Sequence, residues 1–202
     1  MPRLADLPGR ALLAFAGIIL VVAVASRWRS SFVLLQPDTL AAALFLYVPL
    51  FHYRRGPVPS WLRAGDLRRS ALAFLALLLG GAAVYFVYAS LPLFPGGAAP
   101  RAAGMPPAGE FLVRQALFAA IPEEVFFRGY LYDAFDERGW EPVVLTAALF
   151  AAGHLAIHAS AYRAMTFFPA LLFGWGRKKS GNLYVPVLLH LAFNTFPYLS
   201  GV

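Results

Sequence analysis

Leu117-Phe118-Ala119-Ala120-Ile121-Pro122-Glu123-Glu124-Val125-Phe126-Phe127-Arg128-Gly129-Tyr130 sets three charged side chains in the middle of an apolar run. In hydrocarbon each such group costs about 2.5–3.5 kcal/mol on insertion scales, so it is kept where it faces a protein interior or a wet cavity and acts there. Glu124 and Arg128 are four apart and share a helix face, where they can pair. Glu123 is turned about 100° away on a helix. One carboxylate is thus neutralised by Arg128 while its neighbour faces a cavity, the arrangement a general base requires. Pro122 removes one amide donor and loosens the helix just before the pair.

The rest of the chain has the same solvent preference. Of 202 residues, 60% are apolar and 13% charged, against roughly 45–50% and 25% in soluble domains. A globule of this length has too little interior to hide that surface. An ordinary soluble domain, a disordered chain and a coiled coil are excluded. The sequence predicts an all-α fold: a polytopic transmembrane helical bundle, one domain over residues 1–202, with about seven membrane segments. These are read at 11–26, 33–53, 70–91, 111–133, 142–160, 164–176 and 183–200. The sixth is short enough to be re-entrant, and the first reads as a retained span rather than a cleaved signal. Pro92–Pro107 reads as an irregular loop and Arg177–Asn182 as a basic turn.

Cysteine is absent, which removes disulfides, thiolate zinc sites, iron–sulfur clusters and a cysteine nucleophile. The net charge of +7 is spread between apolar runs, so it reads as topology and contact with anionic headgroups, not as nucleic-acid binding. With the N-terminus cytoplasmic, only Arg27, Arg29, Arg101 and Arg163 of the 17 basic residues fall in outer segments and Arg114 and Arg128 within spans. The other eleven are then cytoplasmic, as the positive-inside rule expects.

Two further apolar segments carry polar groups. His154 and His158 share a face of the fifth at i, i+4, and His190 and Asn194 share a face of the seventh. Glu123 and His154 each lie twelve residues from a segment end, about 18 Å deep, and His190 about 10 Å. Convergence on one cavity is therefore feasible. Blander roles stand beside it: a structural ion network for the glutamates, and interhelical hydrogen bonds for His154, His190 and Asn194. His154, His158 and His190 with a glutamate could instead bind zinc with an open position. A transporter or a binding-only immunity protein could use the same groups without catalysis. Asp133, Asp136, Glu137 and Glu141 read as a solvated loop, and Trp28, Trp61, Trp140 and Trp175, all near segment ends, as an aromatic belt.

Taken in order, Glu-Glu-x-x-x-Arg (Glu123, Glu124, Arg128), Phe-x-x-x-His (Phe150, His154) and His-x-x-x-Asn (His190, Asn194) resemble the CAAX protease and bacteriocin-processing family of intramembrane proteases, also called CPBP or Abi. The motif-bearing core is residues 115–197. The resemblance implies a glutamate-dependent intramembrane endopeptidase acting in the bilayer on a membrane-anchored protein, with no cofactor. By motif position Glu123 would be the base that activates water, with His154 holding or polarising it. His190 and Asn194 would stabilise the oxyanion, and Glu124 and Arg128 would orient and neutralise the site. The compact chain is similar to small bacterial members, such as the myxosortase-like sorting enzymes, which places it in a bacterial cytoplasmic (inner) membrane.

Overall fold

The computed structural model describes residues 7–28, 36–90 and 106–200, and among these there are helices and no strands. Seven helical runs follow the seven apolar segments: α1 Leu7–Arg27, α2 Pro37–Tyr53, α3 Leu67–Ser90, α4 at residues 108–136, α5 Pro142–Ile157, α6 Phe167–Ser180 and α7 Tyr184–Ser200. The Pro92–Pro107 stretch lies almost wholly outside the described residues.

Local chemistry sets several boundaries. Pro37 and Pro142 open α2 and α5, positions where a missing N–H leaves nothing unpaired. The Glu141 carboxylate caps α5 by accepting the Val144 N–H at 2.8 Å. Partial burial works against its charge, but that N–H and the Lys178 ammonium outweigh it and hold the carboxyl below the usual range. The cap therefore persists through that range and is lost only as pH falls below it. Gly181, at φ 76°, ends α6 in the left-handed conformation. The expected basic turn is in part helix, since Arg177, Lys178 and Lys179 form the last turn of α6, where cations oppose the helix dipole favourably.

α4 departs from a regular helix. Ala116–Ala120 and Val125–Leu131 are π-helical, and between them lies the α-helical turn Ile121–Glu124. Pro122 cannot donate and crowds the preceding turn; the wider π turn before it makes room. Wide turns of this kind concentrate at functional sites.

Two apolar clusters frame this region. One joins α1, α2, α4 and α5 through Ile18, Phe45, Phe126, Phe127, Leu131 and Phe150, and the other joins α3, α6 and α7 through Phe173, Val185 and Leu189. α5 packs on α6, and α6 on α7. A Cβ on Gly174 of α6 would sit 3.0 Å from Val143 Cγ1 and 3.3 Å from its Cα. Gly174→Val should therefore lose about 1–3 kcal/mol, or about 2–12 °C in Tm. Gly109→Ala, with nothing within 4 Å of its Cβ, should leave the Tm unchanged. Thermal unfolding in detergent checks both.

The two ends of the bundle differ in charge. At the basic end, Leu183 N–H donates to Trp61 C=O (3.0 Å) and Asn182 Nδ2 to Ala64 C=O and Ser70 Oγ (2.8 Å each). These bonds gather Arg54, Arg55, Arg63, Arg68, Arg69, Arg138 and the Arg177–Lys179 turn on one side. At the opposite end Tyr198 donates to Pro106 C=O (2.9 Å) and stacks on Phe111 at 4.2 Å.

Two expectations for the basic end are corrected. Asp133 is not a solvated loop residue: its Oδ2 accepts from Trp61 Nε1 (3.0 Å) and Tyr53 OH (3.2 Å), and its Oδ1 pairs with Arg177 Nη2 at 3.3 Å. Trp61 is not in a belt but 3% exposed, because its indole N–H has that carboxylate to satisfy it. Trp28, Trp140 and Trp175 are exposed.

α1 and α3 are long and apolar enough to cross a membrane, each with mean hydropathy 2.2. The α3 span is only 6% buried, so its apolar surface faces outward; the core helix of a soluble protein would hide it. α5 is apolar but only 16 residues long, and the number of spans is not set by helix length alone.

Candidate active site

Glu123 and Glu124 occupy the turn between the two π segments. Glu124 is fully buried, with Oε1 accepting from Arg128 Nη1 at 3.0 Å and from His190 Nδ1 at 2.8 Å. Arg128, also fully buried, donates Nη2 to Ala170 C=O of α6 at 2.8 Å. Its guanidinium lies over Phe150 at 5.0 Å and Phe173 at 5.3 Å. A guanidinium over two ring faces is stabilised by their quadrupoles as well as by the carboxylate. Glu124 Oε2 and Arg128 Nε are buried without a protein hydrogen bond. Arg177 Nε caps the Arg128 carbonyl at 3.1 Å, which ties the π turn to α6.

Glu123 points the other way, as the 100° offset predicts. Its side chain is 18% exposed, and its Oε2 lies 3.7 Å from His190 Nε2. His190 is held between the two acids, with its ring stacked on Phe173 at 4.9 Å. Since Glu124 accepts from Nδ1, Nε2 is the ring atom left for the cavity.

His154 places Nδ1 3.0 Å from Phe150 C=O. A carbonyl only accepts, so Nδ1 carries the hydrogen and Nε2 of the neutral ring presents a lone pair. Asn194 Nδ2 donates to Gln115 Oε1 at 2.8 Å, which fixes the carboxamide and leaves its second N–H. The sequence marks Gln115 only as the first residue of the motif-bearing core; an amide inside the apolar run 111–133 is the signal that points to it.

Glu123, His154, His190, Asn194 and Gln115 line one cavity of about 1750 Å³. Acid, imidazoles and carboxamide from three helices therefore share a chamber. His158 departs from expectation. α5 ends at Ile157, and His158 is extended (φ −141°) and exposed, so it shares no helix face with His154, though it borders the same chamber. Among the described residues no three His, Asp or Glu side chains are grouped as they would be around a metal ion.

A helical bundle with two apolar helices long enough to cross a membrane thus holds a buried Glu–Arg–His centre beneath a second, cavity-facing glutamate. Residues 108–196, which carry every motif of that chamber, match the model of the Rce1-like family, described as type II CAAX prenyl endopeptidase. The chain is also similar to an Escherichia coli protein, described as an uncharacterized 24.3 kDa protein, with 33% identity over 89 residues. That alignment covers 42% of this chain and 41% of the relative, so the match spans less than half of either. No solved structure matches.

Proposed function

We propose that the chain is an intramembrane endopeptidase that hydrolyses a peptide bond in or near the membrane anchor of a protein, with Glu123 as the base. The observation that carries this is the division of labour between adjacent acids. Glu124 is neutralised by Arg128 at 3.0 Å, while Glu123 faces the chamber 3.7 Å from His190 Nε2. A water between Glu123 and His154 Nε2 gives a proton to Glu123 as it attacks the scissile carbonyl. His190 Nε2–H, its charge supported through Nδ1 by Glu124, and the second N–H of Asn194 stabilise the tetrahedral oxyanion. Glu123 then returns the proton to the leaving amine. Exclusion of bulk water strengthens each of these contacts.

All seven helical runs cross or enter the bilayer in this reading, with the N-terminus cytoplasmic and the protein in a bacterial inner membrane. The family resemblance and the apolar outer faces of α1 and α3 support it. No metal takes part, so chelators should leave the cleavage rate of the purified protein unchanged. Loss of activity together with stoichiometric zinc would favour the metalloprotease alternative. The substrate test is mass spectrometry of membrane proteins from cells expressing the wild-type chain or Glu123→Gln. The proposal expects a new terminus, near a membrane anchor, that depends on Glu123. Identical termini in both strains, with both proteins folded, would contradict it.

A further inference from the structure

The chamber is polarised along the bundle. From Glu123 it extends to Ser26, Asp38, Glu110, Tyr162 and Arg163, all at the end of the bundle away from the cluster of Arg54, Arg55, Arg63, Arg68, Arg69 and Arg177–Lys179. In the other direction it is closed by packed side chains. Phe127, Phe150 and Phe173 are each 3% exposed or less, and Glu124 and Arg128 are fully buried. Beneath them Asp133, Trp61, Tyr53 and Arg177 form a second, hydrogen-bonded layer. The loops of the basic end, laced together through Asn182 and Leu183, supply no side chain to the chamber wall, whose lining reaches toward that end only as far as Trp175 of α6.

Basic ends of membrane bundles face the cytoplasm. Two polarities, one of charge and one of cavity, thus run in opposite directions through the same helices. We infer that the chamber is entered from the non-cytoplasmic side, so that the protein it processes is one already translocated, with its scissile bond at or beyond the outer half of the bilayer. Water enters and the amine product leaves on that side. The substrate class rests on the protease reading; the sidedness does not. An attacking water reaching Glu123 from the cytoplasm would have to pass a layer of buried rings, an ion pair and the Asp133 network.

Cysteine accessibility tests this in the full chain, because the natural sequence has no thiol. Ala119→Cys puts one on the chamber wall, and Arg138→Cys puts one on the exposed basic end. A charged, impermeant methanethiosulfonate is added to spheroplasts and, separately, to inside-out vesicles, with a permeant maleimide as a check that each thiol can react. The Ala119→Cys thiol should react roughly tenfold or more faster from the spheroplast exterior, as expected of a thiol that can ionise in water. Arg138→Cys should show the reverse. Reaction of both thiols from the same side, or Ala119→Cys from the cytoplasmic side, would overturn the inference. So would no impermeant labelling of Ala119→Cys where the maleimide labels it. If the expected sidedness appears in a protein that cleaves nothing, the protease reading fails and the polarity stands.

Discussion

Glu123→Gln should lower the cleavage rate about 10³-fold, or about 4 kcal/mol of transition-state stabilisation, while the Tm stays within a few degrees of wild type. Both halves follow from its position. The carboxylate is partly exposed to the chamber, and it lies 3.7 Å from His190 Nε2. The amide keeps the size of the side chain and removes the base. Rate and Tm must be measured on the same purified sample. A variant that cleaves at near wild-type rate removes Glu123 from the mechanism, and one that unfolds shows a structural acid instead.

Arg128→Met should be the reverse case: a loss of fold first. Removing one member of a buried ion pair costs about 3–5 kcal/mol, because the other charge is left without compensation. Here Glu124 would keep only His190, the Ala170 carbonyl would lose its donor, and Phe150 and Phe173 would lose the cation above them. For a chain of this size the expected fall in Tm is about 6–20 °C. Arg128→Lys restores the charge but not the two-pronged reach to Glu124 and Ala170, so it should recover part of the loss. Neutralising both partners, Glu124→Gln with Arg128→Met, should be less damaging than Arg128→Met alone. Thermal unfolding followed by tryptophan fluorescence reads all three. A wild-type Tm for Arg128→Met would mean that the pair is not buried.

What could be read from the sequence was local or periodic. The seven apolar runs became seven helices, and the four-residue spacing of Glu124 and Arg128 became a 3.0 Å pair. The offset of adjacent residues on a helix put Glu123 on the cavity side. What could not be read depends on partners far away in the chain. Asp133 is half-buried and hydrogen-bonded by Trp61 and Tyr53, more than seventy residues earlier. Gln115 matters through Asn194, 79 residues later. The π turns around Pro122 follow from packing, not from a residue pattern. His158 was misplaced because i, i+4 spacing has meaning only while the helix lasts, and α5 stops one residue short of it.

The central claim is that Glu123 and His190, from different helices, act as one unit on one water. A double-mutant cycle measures that most directly. Cleavage rates are compared for wild type, Glu123→Gln, His190→Gln and the double variant, each confirmed as folded. The account predicts strong non-additivity, with the double variant about as slow as Glu123→Gln alone. Losses that multiply independently would contradict it.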